Sequence, residues 1–185
     1  MLVGDALQAL AFQILAENTL ADDPQRQLEM LKLLAAAAGS RGMAGGQQID
    51  LEATGSALSL PELEFMHIHK TGALIRAAVL LGFWCGERIS EREKDQLDHY
   101  AKAVGLAFQV VDDVLDHEAS TATLGKTAGK DARQGKPTYV SLMGLGPARE
   151  LAEELRGDAH AALEGIGERS RRLAQLADFV VLRKF

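Results

Sequence analysis

The chain has 185 residues, a net charge of −6, and 47% apolar against 25% charged residues. That balance excludes a disordered chain and is enough to bury a core without disulfides or metal. Its 29 Ala and 28 Leu outnumber 9 Val and 6 Ile, so strong helix formers dominate and a mainly β fold is excluded. The acidic balance argues against a nucleic-acid partner, which would need a basic face to displace counterions. A single cysteine, Cys85, leaves no internal disulfide and fits a reducing compartment. No signal-peptide pattern follows Met1, and no apolar run approaches the roughly 20 residues of a membrane span. A soluble, cytoplasmic chain forming one domain over 1–185 is expected.

In chain order, Gly4 to about Leu20 has helical spacing with apolar residues on nearly every side, which predicts a helix buried within a bundle. Asp22-Asp23-Pro24 reads as a loop, an N-cap and a first-turn proline. A second helix runs through Ala35 to Ala38, where Gly39, Gly42, Gly45 and Gly46 predict a kink or a close helix contact. Pro61 opens a helix expected to continue through Trp84, and Gly86 ends it. Ser90-Glu91-Arg92-Glu93 is a capping box starting a long helix to about Asp116. His117 to Pro137 is polar and rich in Gly, Lys and Thr, the pattern of a long functional loop. Helices are predicted over Thr138 to Leu145, Pro147 to about Leu163, and Ser170 to the end. Met30, Met43, Met66, Phe12, Phe65, Phe83 and Trp84 are expected in the core. The fold class is all-α.

Chemistry concentrates in Phe108-Gln109-Val110-Val111-Asp112-Asp113-Val114-Leu115-Asp116. On a helix Asp112 and Asp116 share a face, with Gln109 one turn earlier. Three carboxylates in five residues, at an expected helix C-terminus, repel one another and the dipole. A hard divalent cation such as Mg²⁺ would offset that cost, and so would a solvated helix end paired with lysines. His67, Lys70 and Thr71 fall at i, i+3 and i+4, a face that suits a phosphate or plain solvent. Lys126, Lys130 and Lys136 lie on the glycine-rich stretch; Gly125-Lys126-Thr127 lacks the leading glycine and preceding strand of a nucleotide-binding P-loop. Gly45-Gly46-Gln47-Gln48-Ile49-Asp50 puts Gln47 and Asp50 one turn apart.

Taken in order, GGQxxD, HKTG, FQxxDDxxD, GKxxGKD and GKP resemble the trans-isoprenyl diphosphate synthases, and within them the bacterial farnesyl diphosphate synthase branch. The resemblance covers essentially the whole chain. It implies a bundle of antiparallel helices around a central cavity, a homodimer, and Mg²⁺-assisted condensation of isopentenyl diphosphate with an allylic diphosphate. Asp112, Asp113 and Asp116 match the second aspartate-rich motif. By that match Asp112 is a direct metal ligand, with Asp113 and Asp116 assisting mostly through water. Lys70 and Lys126, with Lys136, hold the allylic diphosphate. Thr71 and Gln109 steady the departing diphosphate and the allylic cation, and Gln47 and Asp50 line the same cavity.

A first DDxxD and a GKRxRP-like motif, present on earlier helices of the family, do not occur here; Asp22-Asp23-Pro24-Gln25-Arg26 lacks the third aspartate. The chain is therefore expected to be the C-terminal part of such a synthase. It would lack its N-terminal helices, much of the isopentenyl diphosphate site and the residues near the first motif that set product length. Little or no turnover is expected from it alone. Two other readings compete: a non-catalytic synthase-like subunit that modulates a partner, and a terpene cyclase.

Overall fold

The computed structural model describes residues 2–55, 57–86, 90–122 and 137–183. They form helices α1 (Leu2–Glu17), α2 (Pro24–Ala38), α3 (Met43–Glu52), α4 (Leu60–His67), one π-helical turn (Ile68–Gly72), α5 (Ala73–Cys85), α6 (Glu91–Ala122), α7 (Tyr139–Met143), α8 (Leu145–Leu163), a 3₁₀ segment (Glu164–Ser170) and α9 (Arg171–Leu182). No strand occurs among the described residues. The all-α expectation holds.

The sequence punctuation starts these helices as it should. The Asp23 side chain accepts from Gln25 N at 2.9 Å, and Pro24 opens α2. Before α6, Glu93 Oε2 accepts from Ser90 N at 2.9 Å while Ser90 Oγ accepts from Glu93 N at 3.2 Å. Two otherwise orphaned donors are satisfied reciprocally. Thr138 caps α7, and Gly144, at φ +90°, turns the chain from α7 into α8.

Helix α6 is the axis of the molecule. Tyr100, Ala103, Val104, Ala107, Val110, Val111 and Val114 are all buried along it, at the three-and-four spacing of a core-facing stripe. Small Ala and Val side chains let α5, α8 and α9 approach closely, and Leu63, Met66, Ala148, Ala152, Ala159 and Ala177 complete this core. Tyr100, fully buried, donates its hydroxyl to Leu173 O at 2.8 Å and so ties α6 to α9. Burial pushes its phenol up to about 12. A second, smaller core joins α1, α2 and α5 through Leu15, Met30 and Leu34, with Phe12, Leu74 and Trp84 packed on it.

Four expectations are corrected. Helix α1 is not enclosed: Leu2 is 84% and Val3 73% exposed, Leu7, Leu10 and Ile14 are also exposed, and Leu15 is its one buried residue. It packs on α2, and a helix with apolar residues all round has only one side satisfied by one neighbour. The predicted helix from Pro61 through Trp84 is interrupted by the π turn. The capped helix continues to Ala122 rather than ending near Asp116. Asp112 and Asp113 therefore lie well inside it, and the dipole penalty argued for them fades, since that effect is confined to the last turn. Phe65 is 53% exposed and leans on the His69 ring, with centroids 4.1 Å apart, instead of entering the core.

Candidate functional site

A pair of glycines brings the site together. A Cβ at Gly46 on α3 would lie 2.1 Å from Lys70 N, and one at Gly105 on α6 would lie 3.2 Å from Gly72 Cα. Bare glycine on both flanks lets the two helices press directly on the backbone of the π turn. π turns are uncommon and recur at functional sites, because the extra residue shifts the helical phase and re-aims side chains. Within this turn the two neighbours reach in different directions. Lys70 turns to α3, where its Nζ donates to Asp50 Oδ2 at 2.8 Å. Thr71 turns to α6, where its hydroxyl donates to Gln109 Oε1 at 2.7 Å.

On the α3 side Asp50 is buried, and Gln47 Nε2 approaches the same Oδ2 at 3.4 Å. A buried carboxylate needs a cation and hydrogen bonds to offset its lost hydration, and Lys70 and Gln47 contribute both. On the α6 side Gln109 is buried, His67 Nδ1 lies 3.0 Å from its Oε1, and Gln109 Nε2 faces Asp112 Oδ2 at 3.4 Å. Asp112 is also ion-paired with Arg183, just beyond α9. The Arg183 guanidinium lies 4.3 Å from the centroid of the Phe108 ring, a cation–π contact that adds to the pair. Burial pushes the Asp112 carboxyl up from its ordinary range; Arg183 pulls it down and Asp116 pushes it further up.

The three aspartates do not converge. Asp112 and Asp116 share a face, Asp116 being exposed. Asp113 turns elsewhere and accepts from Tyr139 N at 2.7 Å, holding the start of α7 against α6. Among the described residues no group of three or more His, Cys, Asp or Glu side chains forms a metal cage. Lys126, Lys130 and Lys136 lie outside the described residues. A groove of about 500 Å³ is lined by His69, Arg76, Lys102 and Leu106, and by none of Gln47, Asp50, Lys70, Thr71, Gln109 or the aspartates.

The structure thus joins Gln47, Asp50 and Lys70 in one cluster, and Thr71, Gln109 and Asp112 in another, bridged by the adjacent residues 70 and 71. It adds two members that the sequence did not assign. His67 was grouped with Lys70 and Thr71 by spacing, but its bond to Gln109, 42 positions away, has no local signal. Arg183 follows the apolar run Phe179-Val180-Val181-Leu182, and a cation ending an apolar helix is drawn to a nearby partly buried acid.

The architecture is that of the prenyl synthases. A Zymomonas mobilis FPP/GFPP synthase superposes with a TM-score of 0.81 at 39% identity, over 96% of this chain and 59% of its own. A Helicobacter pylori geranyltransferase solved with magnesium and isoprenyl diphosphate gives 0.77 at 30% identity, over 98% and 58%. The family model for polyprenyl synthetase matches residues 1–167, and the chain belongs to that family. Among its relatives, the farnesyl diphosphate synthase of Escherichia coli is 46% identical over 99% of this chain and 62% of its own length. A chloroplastic geranylgeranyl pyrophosphate synthase of Capsicum annuum is 42% identical over 99% and 50%. The chain spans between about half and three fifths of the length of these relatives.

Proposed function

We propose that this chain carries the part of a prenyltransferase site that grips an allylic diphosphate, and that the whole enzyme condenses that diphosphate with isopentenyl diphosphate to give farnesyl diphosphate. One observation carries the reading: Lys70 and Thr71 of one motif stand side by side, Lys70 bonded to Asp50 and Thr71 to Gln109, which in turn faces Asp112 of a second motif far away in sequence. The similarity to farnesyl diphosphate synthases favours that product over a cyclic one.

The donor set fits Mg²⁺. Asp112 and Asp116 offer oxygen ligands one turn apart, and Mg²⁺ characteristically takes one or two carboxylates together with substrate phosphates. A cation, the Arg183 guanidinium, already lies against Asp112. Asp112 and Asp116 would hold the ion, with Asp113 outside this pair because it is committed to Tyr139. When bound, Mg²⁺ would neutralise charge developing on the diphosphate as the carbon–oxygen bond ionises.

The chain's own residues then do the rest. Lys70, held by Asp50, whose carboxylate also accepts from Gln47, presents a fixed ammonium to the diphosphate, and Lys126 and Lys136 add charge as the family resemblance implies. Thr71 and Gln109 supply oriented dipoles that need no rearrangement as charge develops. No side chain need act as a nucleophile. The exposed apolar face of α1 is compatible with the homodimer implied by the family, and no described helix is long and apolar enough to cross a membrane.

The test is calorimetric binding of geranyl diphosphate to the 185-residue chain with and without Mg²⁺, followed by product analysis with labelled isopentenyl diphosphate. Mg²⁺-dependent binding should weaken at least about tenfold in Asp112→Ala and in Lys70→Ala, the effect of losing one charged contact. Binding that ignores Mg²⁺ and both substitutions would overturn the reading.

A further inference from the structure

His67 ends α4, is buried, and lies nearly parallel to Tyr139, with ring centroids 5.6 Å apart and an interplanar angle of 21°. Its Nδ1 is 3.0 Å from Gln109 Oε1. A carboxamide oxygen has lone pairs and no proton, so the contact is a hydrogen bond only if Nδ1 carries hydrogen. The other ring nitrogen, Nε2, is buried with no hydrogen-bond partner among the described residues. An orphaned lone pair costs less than an orphaned N–H, and burial, the largest influence on this ring, also disfavours the charged form. Both point to a neutral imidazole with its proton on Nδ1.

Gln109 needs such a partner. The Thr71 hydroxyl can donate or accept, so at 2.7 Å it is compatible with either end of the amide. The Asp112 contact, at 3.4 Å, is long and sits where a ligand would compete for it. His67, a donor buried away from that position, accepts only one orientation.

We propose that His67, as the Nδ1–H tautomer, is a positioning residue that locks the Gln109 amide with its oxygen turned inward and its NH₂ toward Asp112. Both lone pairs of Oε1 are then occupied, by Thr71 and His67. Gln109 offers N–H donors, not a carbonyl oxygen, to whatever binds beside Asp112. A diphosphate oxygen suits those donors. This assignment of ligand chemistry rests on the diphosphate reading above, whereas the tautomer and the amide orientation stand on geometry alone.

Two-bond and one-bond ¹H–¹⁵N correlation spectra of the uniformly ¹⁵N-labelled chain test it directly. The expected result is a His67 ring protonated at Nδ1 and bare at Nε2, with a slowly exchanging Nδ1 proton. The Gln109 NH₂ signals, identified by their loss in Gln109→Leu, should be well dispersed in the wild type. They should collapse to mobile values in His67→Leu and persist in His67→Asn, whose amide nitrogen can take the place of Nδ1. An Nε2–H tautomer, an imidazolium, or Gln109 signals unchanged in His67→Leu would overturn the proposal. The wild-type spectrum alone decides the tautomer if a variant fails to fold. Failure of the prenyl-transfer reading would show instead as absent Mg²⁺-dependent diphosphate binding with the tautomer intact.

Discussion

Arg183 and Asp112, 71 positions apart, form an ion pair between the end of α9 and the middle of α6. The two partners are unequally sheltered: the Arg183 side chain is 11% exposed and that of Asp112 46%. The guanidinium is thus anchored by the protein, and the carboxylate is the partner free to take another cation.

Replacing Arg183 by Gln should therefore act in two directions. The pair is half solvated, so its loss should cost about 1–3 kcal/mol, below the range for a fully buried pair. Urea denaturation would measure this. With its competitor gone, Asp112 should bind Mn²⁺, a spectroscopic substitute for Mg²⁺, severalfold more tightly by paramagnetic resonance. Equal or weaker Mn²⁺ binding would sink the competition argument.

Glycine substitutions should divide sharply by location. Gly46→Ala places a methyl into the Lys70 backbone. It should cost about 1–3 kcal/mol or more by forcing α3 outward, and the same movement should break the ion pair between Lys70 and Asp50. Gly157→Ala, on α8 with nothing near its added Cβ, should stabilise by roughly 0.5–1 kcal/mol. Thermal melts of the two variants would test the contrast, and shifts of the same sign would contradict it.

Stability should fall on mild acidification through His67. In the unfolded chain this group titrates near its ordinary 6.5, while burial lowers its value in the fold. Between the two values the unfolded state binds more protons, so unfolding free energy rises with pH in that interval. The contribution is fully present above 6.5 and is lost as pH drops toward the folded value, where the slope levels off. His67→Asn should flatten the curve just below 6.5; an unchanged slope would argue against a buried neutral ring.

Tyr139→Phe should be neutral or stabilising. The ring is 1% exposed and its hydroxyl is buried without a hydrogen-bond partner among the described residues, so deleting the oxygen removes an unmet desolvation penalty and leaves the stacking on His67. A drop in melting temperature of several degrees would show that the hydroxyl has a partner after all.

Much of this was legible in the residue order. Alanine-rich periodicity, caps at Asp23 and Ser90, and Gly45-Gly46 pointed to helices, starts and a close approach, because those signals are local. Gln109 and Asp112 could be placed on one face for the same reason. What escaped was relational. Nothing near Arg183 names Asp112, and nothing in His67-Ile68-His69-Lys70 announces a π turn, against which the glycines of α3 and α6 pack from either side. Phe65 and the face of α1 failed differently: apolar character says that burial is favourable, not that a neighbour is present to provide it.

That same sandwich of Gly46, the π turn and Gly105 bears on how the site could be altered. Fine adjustment of a binding site usually proceeds by trimming or extending side chains that wedge two elements apart. Here the wedges are already of zero size, so shrinking them is impossible, and at Gly46 the smallest enlargement collides with main chain. The spacing around Lys70 and Thr71 is consequently a floor rather than a setting. Variation among chains that keep this packing must come from what Lys70 and Thr71 reach toward, not from where they stand.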